Sequence, residues 1–488
     1  MLEGTGHGGA RNAVSLPSHK TKVVATVGPA SESSAVLEAM IRAGMNIARL
    51  NFSHGSFADH ARVTTALRAA AAAVGRDIAI MADLPGPKMR VGELATDRVE
   101  LVTGAAFTLT TDPIVGDAAR VAVSFARLPQ VVSPGDRLFL NDGIIQLEVE
   151  DAAGHDVRCR VLVGGELRAR KGLNLPGIDL GIDAFTEHDR ACLEAALAQG
   201  VDAISQSFVE SAADVQAVRA AASALGKQPF IIAKIERARA LDRIDDILAA
   251  ADGLMVARGD LGVEVPIEQI AILQKMLVRK AVRAGKPVII ATQMLESMTA
   301  SRQPTRAEAT DVANAILDGT DCVMLSGESA TGKFPVDAVA TLARIAVATE
   351  PYRLRADLWE YLKTLPRDTN LGLTDLISLG VEAVIEHGHV AAVVVPTESG
   401  ATARATARFR LPMWIAAPSA SAAVRRHLQF SYGVQPLPMP AERDWSAFAR
   451  AWVGAEALEG RLAVLVQGPP GAAGDTNYRL ELVPLDGR

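Results

Sequence analysis

Cysteine is scarce in this sequence. The chain has only three, Cys159, Cys192 and Cys322, which are odd in number, far apart and in no CxxC pair. This pattern argues against both a disulfide framework and a zinc knuckle. We expect all three side chains to be buried as small hydrophobic groups, in a protein of the cytoplasm.

Aromatic residues, excess charge and long apolar runs are also scarce. Aromatics make up 4% of the chain, and Lys+Arg 50 against Asp+Glu 56 gives a net charge of −6. Neither a long-range positive field nor a base-stacking surface is therefore expected, which argues against nucleic acid as a partner. No uncharged apolar run approaches the roughly 18 residues of a membrane span, and the first 20 residues lack the order of a signal peptide. We expect small-molecule partners and no membrane.

What the sequence does contain is a regular alternation of β-branched runs with Ala/Leu-rich stretches. The apolar runs predict eight strands, at 22–28, 45–51, 78–84, 201–208, 229–235, 253–258, 286–292 and 321–326. Helices are expected between them, for example 32–43 after Ser31, 187–199 after Thr186 and 306–318 after Thr305. Near-continuously apolar strands, each followed by a helix, predict an α/β protein with a closed parallel (β/α)8 barrel.

The rest of the chain divides around this barrel. Residues 1–18 show no periodicity and are expected to form a flexible tail, while 19–87 and 184–350 form the barrel domain. Residues 88–183 interrupt the third unit with period-two alternation, which predicts a small antiparallel β-barrel that sits over the barrel mouth. Residues 351–488 return to alternating strands and helices and predict a separate C-terminal α/β domain.

Polar side chains follow seven consecutive apolar strands, at the ends where barrel enzymes build their sites. In chain order they are Arg49, Asn51, Ser53 and His54; Asp83; Ser207 and Phe208; Lys234 and Glu236; Arg258, Gly259 and Asp260; Thr292 and Gln293; and Ser326 and Glu328. Taken singly, each could serve only to cap a turn. Seven such strand ends together favour a functional site.

The residue types at these strand ends are chemically coherent. Glu236 and Asp260 on adjacent strands are hard oxygen ligands suited to Mg²⁺. Arg49 and Lys234 supply fixed positive charge for a phosphoryl group. Gly259 lets backbone N–H groups approach an anionic substrate such as a carboxylate. These groups predict phosphoryl transfer involving a small carboxylate-bearing substrate.

Several long segments carry a family resemblance. They are TKVVATVGPAS, MNIARLNFSHG, DLPGPKMR, KGLNLPG, AKIE, GLMVARGDLGVEVP, ATQMLESM and PTRAEATDVANAILDGTDCVMLSGESATGKFP. Together, and in this order, they resemble pyruvate kinase. The resemblance implies transfer of the phosphoryl group of phosphoenolpyruvate to ADP, giving pyruvate and ATP, with Mg²⁺ or Mn²⁺ as cofactor. It also implies that the inserted domain, residues 88–183, closes as a lid over the nucleotide, and that the protein is a homotetramer whose C-terminal domain carries subunit contacts and effector sites.

The resemblance also implies a role for each matched position. Phosphoryl transfer and protonation of the enolate fall to Arg49, Lys234 and Thr292, with support from Ser326 and Glu328. The groups around phosphoenolpyruvate would be Arg49, Ser207, Lys234, Arg258, Gly259, Asp260 and Thr292. The divalent metal would be held by Glu236 and Asp260, and the nucleotide would meet Asn51, His54, Arg90 and Lys171. Asn51, Ser53, Asp83 and Leu84 would form the monovalent-cation pocket of the family.

Two departures from the common family pattern lead to finer expectations. Members that need K⁺ typically read DTKGPEIRT, whereas this chain reads DLPGPKMRV, with Lys88 at the glutamate position. We expect the Lys88 ammonium to replace the ion, so that K⁺ is not required.

An effector site is predicted at Thr397, Ser399, Gly400 and Thr402. Glu398, Pro469 and Pro470 stand where fructose 1,6-bisphosphate-responsive members often carry basic or aromatic residues, so a phosphorylated metabolite with one phosphate is expected if any effector binds.

Three other interpretations of these residues are less consistent with the sequence. A metal-dependent aldolase that handles pyruvate enolates would share the carboxylates, an arginine and Mg²⁺, but it explains neither the lid nor Lys171. A catalytically silent regulator that binds metabolites is not favoured by any residue, because every charged residue implied for catalysis is present. GESATGK at 327–333 fits the spacing of a P-loop, but Phe334 replaces the Ser or Thr that would hold Mg²⁺.

Overall fold

The computed structural model describes residues 16–353, 372–468 and 478–485. Most of the predicted tail and the pair Pro469 and Pro470 therefore lie outside the described residues. Eight parallel strands close into a barrel, so the predicted fold class is confirmed. Numbered along the whole chain, they are β1 (Lys22–Thr26), β2 (Met45–Asn51), β3 (Ala79–Asp83), β12 (Ala203–Gln206), β13 (Phe230–Ile235), β14 (Gly253–Ala257), β15 (Val288–Ala291) and β16 (Cys322–Leu325).

Closure joins the first barrel strand to the last. β1 pairs with β16 in parallel, with Lys22 opposite Cys322, and with β2 on its other side. Each strand is slightly shorter than or equal to its predicted range. The fourth ends at Gln206 rather than 208, because Phe208 adopts a left-handed conformation with φ of 59° that leaves the strand.

Helices surround the barrel and follow its strands. They are α1 (Ser34–Ala43), α2 (Phe57–Val74), α4 (Glu187–Ala198), α5 (Ala212–Ala224), α6 (Ile244–Ala250), α7 (Arg258–Glu264), α8 (Ile270–Arg283), α9 (Arg306–Leu317), α10 (Gly327–Ala330) and α11 (Pro335–Thr349). Thr186 and Thr305 cap their helices as predicted, each accepting an N–H from the third helical residue. The first helix is capped by Ser33, not Ser31, because the Ser31 hydroxyl accepts the Gly28 N–H in the preceding turn.

Alternation along the strands gives the barrel two cores. On β13, Ile231 and Ala233 face the helices, whereas Phe230 and Ile232 face the barrel interior. Residues two apart in a strand share a face, so Lys234 continues the interior row toward the carboxyl end of the strand. The sequence of β13 therefore places a charged group at the mouth, the barrel end where the strands finish.

The inserted segment folds around a core of its own that runs from Met89 to Leu180. Its elements are β4 (Arg98–Leu101), β5 (Ala106–Thr110), β6 (Arg120–Ala122), α3 (Leu128–Val131), β7 (Arg137–Leu140), β8 (Ile145–Ala153), β9 (Asp156–Val163), β10 (Gly165–Arg168) and β11 (Leu173–Asn174). Most ladders are antiparallel, as expected, although β5 and β6 are parallel. The strands form a six-stranded sheet and a separate pair of β10 with β4, rather than the single closed small barrel that the alternation predicted. The pair separates at Gly164, where a side chain would meet the Leu101 carbonyl.

The C-terminal domain contains a five-stranded sheet with helices packed against it. Its elements are α12 (Leu373–His387), β17 (Val390–Val394), α13 (Ala401–Ala407), β18 (Trp414–Ser419), α14 (Ala422–His427), β19 (Val434–Pro438), α15 (Trp445–Ala455), β20 (Leu462–Gln467) and β21 (Arg479–Pro484). The order is β19-β18-β17-β20-β21, and only β21 is antiparallel to its neighbour within the described part of this domain. The exact domain boundaries stay a prediction.

All three cysteines are buried and unpaired, which confirms the expectation drawn from their spacing. Within the described ranges, no helix has the length and apolar character needed to cross a bilayer.

A buried ion pair joins the C-terminal domain to the base of the barrel. Arg410 donates to both carboxylate oxygens of Asp321, at 2.8 and 2.6 Å, directly before β16. The same carboxylate accepts the backbone N–H of Tyr432 and of Val288. Both charged side chains are at most 3% exposed. Breaking a buried pair leaves a desolvated charge, so this contact holds the two domains in a defined arrangement.

We predict that Arg410→Met lowers the free energy of unfolding by about 3 kcal/mol, because it leaves the Asp321 carboxylate buried without its charged partner. Urea unfolding followed by tryptophan fluorescence measures this, since all four tryptophans lie in the last third of the chain. Arg425→Met is the control, because it removes a pair with Asp77 that is more exposed and 3.3 Å long and is expected to cost less than about 1 kcal/mol. Equal losses in the two variants would contradict the assignment.

Candidate active site

Lys234 stands at the centre of the charged groups at the mouth. Its ammonium lies 2.5 Å from Glu236 Oε2 and 3.7 Å from Asp260 Oδ2, and it donates to Ser207 Oγ at 3.4 Å. Ser207, Glu236 and Asp260 follow β12, β13 and β14, three neighbouring strands, and Lys234 lies near the end of β13. The structure therefore brings three other predicted site residues together around the Lys234 ammonium.

The protonation of this cluster follows from burial and charge. Burial alone would lower the pKa of Lys234, but Glu236, Asp83 and Asp260 outweigh it and raise that pKa above its usual value. Burial raises the pKa of Glu236 to about 7, against the opposite effect of Lys234 and with a further rise from Asp260. The ammonium is therefore retained, and ionisation of Glu236 is favoured by a cation beside it.

A divalent metal fits this donor set. Glu236 Oε2 is buried and, within the part of the chain that the structure describes, makes no hydrogen bond of good geometry. Its other oxygen accepts the Phe208 N–H at 2.8 Å, which fixes the carboxylate plane. Asp260 is about half exposed at the start of α7. The described residues contain no group of three or more His, Cys, Asp or Glu ligands, so two carboxylates would leave positions open for substrate oxygens and water, as Mg²⁺ sites do.

Arg49 is held rigidly at the end of β2. Its guanidinium donates from Nε and Nη2 to Asp83 Oδ2, at 2.9 and 2.6 Å, and from Nη1 to Thr26 Oγ1 at 2.9 Å. Burial would raise the pKa of Asp83, but Arg49 and Lys234 lower it below its usual value. Asp83 is thus ionised and orients an arginine whose charge is directed to the mouth.

Thr292 occupies a strained position after β15. Thr292 and Gln293 have φ of 70° and 53°, a conformation that is costly for a β-branched residue. The Thr292 hydroxyl donates to the Ala291 carbonyl at 2.6 Å and accepts the Gly259 N–H at 2.7 Å. The strain brings the hydroxyl beside Gly259, so the two predicted residues are in contact.

Arg258 was predicted to bind the substrate, but in the structure its guanidinium binds other groups of the protein. Its guanidinium forms an ion pair with Asp311 at 2.7 Å and donates to the Thr292 carbonyl at 3.0 Å. Gly259 lies in helix α7, which begins directly at Arg258 rather than after an open turn. In this structure Arg258 supports the Thr292 backbone.

Ser326 and Glu328 lie after β16 and contact each other. Glu328 is fully buried, and its two oxygens accept the Leu295 N–H at 3.0 Å and the Ser326 N–H at 2.7 Å. The carboxylate therefore fixes the loops that follow β15 and β16. The P-loop interpretation of this segment has no support, because the Gly332 N–H bonds to the Gly327 carbonyl and the Lys333 N–H to the Thr299 carbonyl.

Lys88 reaches the predicted monovalent-cation pocket. Its ammonium donates to Ser53 Oγ at 2.6 Å, and Asn51 is the register partner of Asp83 on β2 and β3. The residue is exposed overall, yet partial desolvation lowers the pKa of Lys88, with Lys234 adding to the fall and Asp83 opposing it. Leu84 follows Asp83 as a buried residue whose N–H bonds to the Ser205 carbonyl.

The predicted nucleotide-binding residues lie between the mouth and the lid. Desolvation lowers the pKa of His54, and the charges of Lys88, Arg90 and Arg49 lower it further. Arg90 donates to the Arg170 carbonyl, next to Lys171 on the lid. The Lys171 carbonyl accepts the Val91 N–H, so the Lys171 backbone is fixed beside the segment that enters the lid. His54 and Arg90 are thus part of one positive region.

The predicted effector residues form a tight turn before α13. Thr397 Oγ1 accepts the Gly400 N–H at 2.9 Å, and Ser399 Oγ accepts the Ala401 N–H at 3.3 Å. Gly400 has φ of 80°, and Thr402 is buried. These hydroxyls act as turn and helix caps in the structure.

Sequence reasoning missed several residues that support the site. Thr26 and Asp311 hold Arg49 and Arg258. Thr26 offered a usable signal as the polar last residue of β1, whereas Asp311 offered none because it lies on helix α9. Arg237 was also missed, although its position directly after Glu236 in AKIER was a usable signal.

Comparisons with known proteins agree with this geometry. The model of the pyruvate kinase barrel domain matches residues 18–339, and that of the pyruvate kinase alpha/beta domain matches 375–479. The pyruvate kinase of Thermococcus litoralis is 47% identical over 427 residues, covering 87% of this chain and 90% of the relative. That of Geobacillus stearothermophilus is 42% identical over 469 residues, covering 94% of this chain and 79% of the relative.

A solved structure supports the same assignment. The crystal structure of a pyruvate kinase from Cryptosporidium parvum superposes with a TM-score of 0.88 at 34% identity, covering 96% of this chain and 97% of the other. The barrel, the inserted sheets and the C-terminal domain all fall within this match. On these grounds the chain is a phosphotransferase and belongs to the pyruvate kinase family.

Proposed function

We propose that this enzyme transfers the phosphoryl group of phosphoenolpyruvate to ADP with Mg²⁺ or Mn²⁺ as cofactor and without a need for K⁺. The observation that carries the proposal is the Lys234 ammonium, in contact with Glu236 and near Asp260 and Ser207. Such a cluster can neutralise a phosphoryl group and hold a metal at the same point.

Fixed charges do most of the work in phosphoryl transfer. Lys234 and Arg49 bind the phosphoryl oxygens, and both are held by buried carboxylates, so they need little reorganisation during reaction. Held by Glu236 and Asp260, the divalent cation would neutralise charge on the phosphoryl and substrate oxygens. The substrate carboxylate would approach the backbone at Gly259, where no side chain intervenes, and would replace Thr292 Oγ1 as the acceptor of the Gly259 N–H.

Departure of the phosphoryl group leaves an enolate that takes a proton at carbon. We assign the delivery of this proton to water next to the Thr292 hydroxyl, because that hydroxyl is fixed by Gly259 and Ala291. Ser326 and Glu328 support this relay through the neighbouring loop that they fix.

The nucleotide phosphates would be bound by His54, Arg90 and Lys171. Lys171 is carried on the lid, and closure of the lid would exclude water from the site.

We also propose a homotetramer. Ile267 and Ile272 around the start of α8 are 74% and 64% exposed, and Leu373 and Leu376 on α12 are 57% and 50% exposed. Large apolar side chains in two separate places on one subunit are what two different isologous contacts require.

A phosphorylated metabolite is proposed as the effector at Thr397, Ser399, Gly400 and Thr402. The turn before α13 offers hydroxyl groups near a helix start, and Glu398 adds a negative charge. A ligand with one phosphate suits this region better than a bisphosphate, because a second phosphate would meet that carboxylate.

We predict that Lys234→Met lowers kcat by about 100-fold or more and leaves the KM for phosphoenolpyruvate within a few-fold. The reason is that the ammonium stabilises charge that develops on the transferring group. Steady-state assays coupled to pyruvate release measure both constants. An unchanged kcat would remove Lys234 from the mechanism.

We predict that catalysis does not require K⁺. Lys88 donates to Ser53 in the pocket where the family binds the ion, and a unit charge about 4 Å from an anion contributes on the order of 4 kcal/mol at an effective dielectric of 20. The test compares wild-type turnover in tetramethylammonium buffer with and without KCl at constant ionic strength. Full activity without K⁺ is expected.

Lys88→Glu is the matched variant for that experiment. It removes the ammonium from Ser53 and installs the residue typical of K⁺-requiring members, so turnover should become dependent on K⁺. Wild-type activity that collapses in tetramethylammonium buffer would contradict the proposal.

A further inference from the structure

Arg237 directly follows the proposed metal-binding residue Glu236 and has no role in the function argued so far. Its side chain is 2% exposed, which is unusual for an arginine. The guanidinium contacts three different parts of the chain. A buried arginine with several fixed partners acts through the geometry that it imposes, because its donors form a rigid fork.

The first partner is Glu264 on α7. Arg237 Nη1 donates to Glu264 Oε1 at 2.8 Å, and Glu264 Oε2 accepts the Ala238 N–H at 3.3 Å. The Glu264 side chain is 1% exposed. Helix α7 carries Asp260 one turn earlier, so this pair connects the loop behind Glu236 with the helix that presents the second carboxylate.

The second partner is Glu210, which follows β12. Arg237 Nε donates to Glu210 Oε1 at 3.0 Å. The same post-β12 segment contains Phe208, whose N–H binds the Glu236 carboxylate. Arg237 therefore anchors the segment from which the Phe208 N–H orients the Glu236 carboxylate.

The third partner belongs to the chain that returns from the lid. Arg237 Nη2 donates to the Ile178 carbonyl at 2.9 Å, and Ile178 packs against the lid core. Nearby, Arg239 pairs with Asp179 at 2.9 Å, but that carboxylate is 70% exposed and water screens the pair. Of these two arginines, Arg237 makes the contact that is withdrawn from water.

We propose that Arg237 is a positioning residue that couples the lid to the metal-binding carboxylates. Its single guanidinium joins the loop of Glu236, helix α7 and the returning segment of the lid at Ile178. Movement of the lid at this hinge therefore changes the same contacts that orient Glu236 and Asp260. A lysine cannot replace this function, because one ammonium on a flexible chain does not reproduce three divergent contacts.

The inference rests on the proposed phosphoryl transfer, so every variant is compared with wild-type turnover measured in the same assay. Absence of wild-type turnover would count against the proposed function itself. If the wild-type enzyme turns over and the Arg237 variants show unchanged kinetics, the result would contradict only the role proposed for Arg237.

The experiment measures the steady-state kinetics and the hydrogen exchange of the full-length enzyme with the substitution Arg237→Lys. We expect kcat to fall by about tenfold or more, because small displacements of catalytic groups cost large factors in rate. The KM for ADP should rise more than that for phosphoenolpyruvate, since the lid would carry Lys171 to the nucleotide. Hydrogen exchange in the 178–184 segment should accelerate. A role limited to stability would shift the unfolding midpoint without this split between the two KM values.

Arg68→Lys is the matched control. Arg68 also donates to a buried carboxylate, Asp202, and to a backbone carbonyl, that of Ile78, but at the opposite end of the barrel. It should leave kcat and both KM values within about twofold, as expected for a site away from the chemistry.

A second variant keeps the test decisive if Arg237→Lys does not fold. Arg237→Gln with Glu264→Gln removes both charges of the most buried pair, while Glu210 is partly exposed and keeps Arg239 as a charged partner at 3.5 Å. It should show the same loss of kcat and the same larger rise in the KM for ADP. Wild-type kinetics in either folded variant would overturn the proposal.

Discussion

Closure of the eight-stranded parallel barrel is the constraint on which the site depends. Pairing of β1 with β16 forces all strands to end at one mouth, although the residues involved run from Arg49 to Glu328 in the sequence. The tight, fully buried strands leave no room for charge inside, so charged groups on the interior row emerge only at the strand ends. Lys234 is the clearest case, because it follows Ile232 on the same face of β13.

Opposite charges at that mouth hold one another in place. Asp83 fixes Arg49, and Glu236 contacts Lys234. The pKa shifts of Asp83, Lys234 and Glu236 arise from burial together with the charges of their neighbours. Such a preorganised cluster suits the transfer of a highly charged group, because its dipoles and charges need not rearrange during reaction. Arg410 and Asp321 make an analogous contact at the other end of the barrel, where it serves domain arrangement.

Much of this could be predicted from the sequence, and the exceptions have physical reasons. Strand positions followed from apolar runs, and strand-end residues such as Lys234 and Glu236 followed from the topology of a barrel. The separate β10–β4 pair of the inserted domain could not be predicted, because period two indicates strands and not their partners. The side-chain direction of Arg258 was also hidden, since its partner Asp311 lies 53 residues away on α9. The left-handed conformations at Phe208 and Thr292 had no signal in residue type.

The most direct test of the central claim, a divalent-cation-dependent phosphoryl-transfer site at the mouth, is the steady-state formation of pyruvate from phosphoenolpyruvate and ADP before and after chelation of metals. The account predicts that pyruvate and ATP form in equal amounts, that chelation abolishes both, and that Mg²⁺ or Mn²⁺ restores both. Turnover that persists after chelation, pyruvate release that does not need ADP, or binding of phosphoenolpyruvate without any turnover would contradict it.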